Sequence, residues 1–150
     1  MKLQLYLDTS VISARFDDKH LDRQALTENF FAQISDFEVY ISDLTLDEIM
    51  ATQDPQLREK MLDCAATFTV LPNTQEVALL VNNLLQNNAV PQKSIEDAYH
   101  IAIAVVAGID YLLSWNFRHM VRLKTQDTVR MITTLRGYKP INIIAPPQLL

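Results

Sequence analysis

One cysteine, Cys64, stands in the whole 150-residue chain, so no intramolecular disulfide can form. Cys64 falls in a helical-looking stretch and reads as a structural thiol of a reducing compartment. No CxxC or HExxH spacing occurs, which argues against a structural or proteolytic zinc site. Glycine is equally scarce, with only Gly108 and Gly137. None follows the first strand, so a Rossmann-type dinucleotide cradle is excluded. No apolar run approaches the roughly 20 residues that a membrane helix needs. The opening Met1-Lys2-Leu3-Gln4-Leu5-Tyr6 is a strand soon followed by Asp8, unlike a signal peptide. The expectation is a cytoplasmic protein with no membrane partner, folded as one domain over residues 1–150.

What is present is an apolar half, enough for one core, and an uneven charge distribution. The net charge is −5, yet residues 1–114 carry 7 Lys/Arg against 17 Asp/Glu. Residues 115–140 carry Arg118, Arg122, Lys124, Arg130, Arg136 and Lys139 against Asp127 alone. Either a basic face adjoins an acidic one or the basic stretch is a solvated helix.

Periodicity orders the elements. Leu3, Leu5 and Leu7 alternate with Gln4 and Tyr6 in a strand ending at Asp8, and Asp8-Thr9-Ser10 offers helix caps. A helix is predicted over residues 21–34, with Leu26, Phe30, Phe31 and Ile34 on one face. Strands are predicted at 37–42, 67–71, 109–114 and 141–144. Further helices are expected at 45–51, from Pro55, at 74–87, at 94–107 closed by Gly108, and at 125–136 closed by Gly137. Strands alternating with helices imply a parallel sheet covered on both faces, with its ligand crevice beyond the carboxyl ends of the strands.

Four residues meet at that edge in such a sheet: Asp8, Glu48, Asp97 and Asn116. Carboxylates with an amide oxygen suit a hard divalent cation, which would also relieve their mutual repulsion. Each has a plainer reading. Asp8 caps a helix, Thr45-Leu46-Asp47-Glu48 and Ser94-Ile95-Glu96-Asp97 fit capping boxes, and Asn116 serves a turn.

Leu5-Tyr6-Leu7-Asp8-Thr9-Ser10 resembles the opening of PIN domains. Glu96-Asp97-Ala98-Tyr99-His100-Ile101-Ala102-Ile103-Ala104 is similar to their central helix. The run Ile109-Asp110-Tyr111-Leu112-Leu113-Ser114-Trp115-Asn116-Phe117-Arg118-His119 is similar to the strand, Trp-Asn and His segment of many bacterial members. Ile143-Ile144-Ala145-Pro146 is similar to their last strand. The resemblance implies an α/β fold, a three-layer α/β/α sandwich with a short, mostly parallel central sheet. It implies a Mg²⁺- or Mn²⁺-dependent endoribonuclease like the VapC toxins, leaving a 5′-phosphate. Asp8, Glu48 and Asp97 would be metal-binding acids, Asn116 a weaker ligand, and Ser10 and Thr9 supporting groups. RNA is the implied substrate, with a cognate antitoxin and a homodimer as further partners.

Two positions depart from the pattern: many members carry Asp where Asn116 stands, and Arg122 replaces a frequent Asn. Arg118, Arg122 and Lys124 are candidates for holding the RNA backbone. His100 is expected as a hydrogen-bonding neighbour of the acids, His119 as a brace for the loop after Asn116, and Trp115 as a half-buried anchor. A catalytically weak RNA- or protein-binding subunit is the alternative. A phosphatase using Asp8 as nucleophile fits poorly, because Ser10 stands where its second Asp belongs.

Overall fold

The computed structural model describes residues 1–149. Its strands are β1 (Gln4–Leu7), β2 (Glu38–Ser42), β3 (Thr69–Leu71), β4 (Tyr111–Leu113) and β5 (Asn142–Ile144). All pair in parallel in the order β3-β2-β1-β4-β5. The helices are α1 (Thr9–Arg15), α2 (Leu21–Phe31), α3 (Asp43–Met50), α4 (Pro55–Ala65), α5 (Gln75–Gln86), α6 (Ile95–Val106) and α7 (Leu123–Leu135). Short 3₁₀ turns lie at Ile34–Asp36, Gln92–Ser94 and Pro146–Gln148.

Because β1 is central, its alternation divides between two buried faces rather than one buried and one wet. Leu5 and Leu7, with Ile41 and Leu113, pack against α1 to α4 through Val11, Phe30, Ile49 and Met61. Tyr6, with Leu112 and Ile143, packs against α5 to α7 through Leu80, Leu84, Ile101 and Val129. The result is the expected three-layer sandwich. No helix among the described residues is long and apolar enough to cross a membrane.

Three local expectations are corrected. The helix predicted over 21–34 ends at Phe31, and Ile34 belongs to a 3₁₀ turn. Its inward positions are Thr27, Phe30 and Phe31, while Leu26 is exposed. Thr27 turns inward because its hydroxyl accepts the indole N–H of Trp115 at 3.0 Å. A separate seven-residue helix, α1, intervenes before that segment, capped by the Asp8 side chain.

The chain runs from β1 outward to β2 and β3 on one side, then returns to β4 and β5 on the other. The carboxyl end of β1 is therefore the point where strand order reverses. Asp8 occupies it.

Candidate active site

Leu7 pairs with Leu113, so the next residues, Asp8 and Ser114, lie side by side where the central strands end. Asp8 is only 4 % exposed. Its Oδ1 accepts the Ser10 N–H at 3.0 Å and the Ser10 hydroxyl, and its Oδ2 accepts the Ser114 hydroxyl at 2.5 Å. Burial raises its pKa, the nearby Glu48 charge adds to this, and His100 with the two serine hydroxyls opposes it. The capping role and the place at the crevice coincide in one side chain.

Ser114 relays this geometry onward. Its Oγ accepts the Asn116 N–H at 2.9 Å, and Asn116 Nδ2 donates to Asp97 Oδ2 at 3.3 Å. Asn116 Oδ1 accepts the His119 N–H at 2.9 Å, closing the turn after β4. The turn role expected for Asn116 and its contact with an acid therefore hold together. Asp97 stands in the first turn of α6. Burial and then the charge of Asp8, with Glu48 and Glu96 also contributing, push its carboxyl up to about 6.

Glu48 reaches the same region from α3. The capping box expected between Thr45 and Glu48 does not form: Ser42 caps α3 and Thr45 is its reciprocal partner. Nor does Ser94 cap α6 with its side chain. Glu48 Oε1 instead accepts the Thr9 hydroxyl at 2.6 Å and lies 2.6 Å from His100 Nε2. Burial would raise the Glu48 pKa, but the His100 contact and the Thr9 hydroxyl outweigh it and the net shift is downward.

An ionised carboxylate only accepts, so His100 Nε2 donates to Glu48. Its Nδ1 lies 2.6 Å from Tyr6 Oη, which in turn lies 2.7 Å from Ser42 Oγ. This buried chain of Ser42, Tyr6, His100 and Glu48 fixes the glutamate from below. Burial raises the Tyr6 pKa far above that of an ordinary phenol, so it remains a donor.

Sequence reasoning missed Tyr6, Ser42 and Ser114. A polar-tipped aromatic inside a leucine strand, and a serine at the β4 end matching Asp8 at the β1 end, were the available signals. Trp115 is a buried anchor, 8 % exposed, whose backbone N–H donates to Ser10 Oγ at 2.9 Å. His119 braces its loop through the backbone: its N–H meets Asn116, and its carbonyl lies 2.8 Å from Thr125 Oγ1. Its Nδ1 is sealed from solvent without a hydrogen-bond partner among the described residues. Arg118 and Lys124 are exposed, and the Arg122 Nε donates to Thr125 Oγ1 at 2.7 Å.

The donor set fits a divalent cation in its chemistry. All its candidates are oxygens, and at Asp97 burial and the charges of Asp8, Glu48 and Glu96 outweigh the opposing influence of His100. Among the described residues no three of Asp, Glu, His and Cys draw close enough to enclose an ion by themselves.

The PIN-domain family profile matches residues 5–122, and the chain belongs to that family. No curated protein matches it in sequence. Among solved structures it is similar to Mycobacterium tuberculosis VapC20, a toxin that cleaves the sarcin–ricin loop. That match has a TM-score of 0.61 at 17 % identity, covering 77 % of this chain and 92 % of that one. Rickettsia felis VapBC2, bound to a DNA fragment from its promoter, matches with a TM-score of 0.59 at 9 % identity over 94 % and 97 % of the two chains. VapBC-5 of M. tuberculosis gives 0.52 at 19 % identity over 95 % and 98 %. The fold is thus that of the VapC toxins.

Proposed function

We propose that the protein is a metal-dependent endoribonuclease of the toxin–antitoxin type, hydrolysing RNA phosphodiester bonds at the Asp8, Glu48, Asp97 and Asn116 site. The observation that carries this reading is Asp97. Its carboxyl is pushed up to about 6 by burial and by the charges of Asp8 and Glu48, where the strand order reverses. Three acids assembled at such expense suit a bound cation better than a purely structural role.

Asp8, Glu48 and Asp97 would hold Mg²⁺ or Mn²⁺, with Asn116 as a neutral fourth donor. A divalent ion there supplies positive charge that acidifies water and offsets charge building on the phosphate and leaving oxygen. The chain's own work is orientation. Ser10 and Ser114 clamp both oxygens of Asp8, Thr9 and His100 hold Glu48 by one oxygen, and Asn116 steers Asp97. Arg118, Arg122 and Lys124 would hold the RNA backbone against an otherwise acidic protein. A cognate antitoxin and a second copy of the chain are the proposed protein partners, and the VapBC complexes of the same fold support the first.

The test is cleavage of a mixed structured RNA pool with Mg²⁺, Mn²⁺ or EDTA, beside Asp8→Asn and Asp97→Asn. Metal-dependent cutting abolished by both substitutions is expected. Intact RNA throughout, or cutting that survives EDTA or both substitutions, refutes the reading. A catalytically weak RNA- or protein-binding subunit is the second reading. Asn116, which contributes no charge at a position where many relatives have Asp, favours it.

A further inference from the structure

The loop that follows Asn116 carries cations without ion-pair partners among the described residues. Lys93 lies in the 3₁₀ turn before α6, while Arg118, His119 and Arg122 lie in the loop between β4 and α7. The loop is tied to the chain just before that turn by the fully buried Thr125. Its Oγ1 lies 2.7 Å from the Ala89 carbonyl and 2.8 Å from that of His119, and it receives the Arg122 Nε. Burial depresses the His119 pKa, and the nearby charges of Arg118, Arg122 and Lys93 lower it further. Among the described residues no ion pair joins Lys93, Arg118 or Arg122 to an acid. Like charges without ion-pair partners are open to an anion from outside.

Phe117 stands beside this cluster in sequence and is 52 % exposed. Its ring meets Trp115 edge to face at 6.1 Å. Trp115 is itself immobilised by Thr27 and covered by the Arg23 guanidinium at 5.3 Å. A large apolar ring held open to water on a fixed backing, next to unpaired cations, is the pairing that unstacked nucleotides bind.

We propose that Phe117 with Lys93, Arg118 and Arg122 forms a subsite for one unpaired nucleotide of the substrate strand, the base stacking on Phe117 and a phosphate held by the cations. The choice of ligand rests on the nuclease reading, and the subsite adds a demand that the strand be single at this place. Duplex RNA, with its bases stacked inside, cannot offer a face to Phe117.

The experiment is binding of labelled oligouridine RNA and of a blunt RNA duplex, followed by fluorescence anisotropy in EDTA across a salt series. Wild type should prefer the single strand. Phe117→Ala and Phe117→Leu should weaken that binding roughly tenfold and leave its salt dependence unchanged, with Phe117→Tyr restoring it. Lys93→Gln with Arg118→Gln should flatten the slope of log affinity against log salt by about 0.7 per charge removed. These side chains are exposed, so the melting temperature should hold; Phe117→Leu, which keeps apolar bulk, covers the case in which the alanine variant does not fold. Equal affinity for the duplex, or wild-type binding by the leucine variant, overturns the subsite. EDTA separates the two proposals. Binding as expected without cleavage in Mg²⁺ would leave the subsite standing and sink the nuclease, and cleavage without the stacking effect would do the reverse.

Discussion

At the scale of single residues, the site is held by hydroxyls more than by charges. Ser10, Ser114 and Thr9 each place one proton on a carboxylate oxygen, and the Tyr6 hydroxyl is hydrogen-bonded to His100 Nδ1. Tyr6→Phe removes a buried hydroxyl and leaves His100 Nδ1 and the Ser42 hydroxyl without their partner. A loss of about 1–3 kcal/mol is expected in urea unfolding, with the fold retained. Asp97 gives a sign-specific prediction. Its folded pKa of about 6 lies above the ordinary 3.8, so the folded state binds the proton more tightly than the unfolded one. Metal-free protein therefore loses stability as pH rises from about 4 through 6. Asp97→Asn, which keeps an oxygen for Asn116, should stabilise the protein in EDTA at pH 7. The gain is on the order of 1–2 kcal/mol after allowing for solvent screening. It should shrink as pH falls towards 4, and melting curves across that range would check it; a variant less stable than wild type at pH 7 would contradict it.

At the scale of elements, helix ends were easier to read than helix faces. Gly108 and Gly137 follow their helices with φ of +72° and +76°, as their positions after the periodic stretches suggested. Open space surrounds both, so a methyl group meets no neighbour and only the backbone conformation resists it. Gly108→Ala should cost about 1 kcal/mol in chemical denaturation. Asn88, the non-glycine residue at φ 56°, should tolerate glycine with no loss. The inward face of α2 was misread because Thr27 is chosen by a hydrogen bond to Trp115, 88 residues away, which no local period records. The start of α1 is legible in its Asp8 cap, but seven residues hold too few repeats to show its extent. The strands were legible for the opposite reason: buried on both faces, they are short apolar runs bounded by breaks. Of the candidate site, the acids were visible as polar residues at element ends. The Tyr6–His100 support was not, since its members look like core.

At the scale of the whole molecule, Asp8 and Asp97 meet the start of the basic stretch after β4 through Ser114 and Asn116. If the acids hold a cation, saturating Mg²⁺ should raise the melting temperature at pH 7.5. An ion at 100 times its Kd contributes about 2.7 kcal/mol, or roughly 5–10 °C for a chain of this size. At the same ion concentration the shift should fall to roughly half at pH 5, where protonation of Asp97 competes with the ion. A pH-independent shift would place the ion elsewhere, and no shift at pH 7.5 would favour the binding-subunit reading.

Asp8 and Ser114 are 106 residues apart in sequence and adjacent in space, because the first strand is central and its second neighbour is the fourth. A ribosome delivers Asp8 fully 106 residues before Ser114 can join it. The nascent polypeptide therefore carries Asp8 without that partner throughout the interval, and the centre assembles only once β4 has emerged.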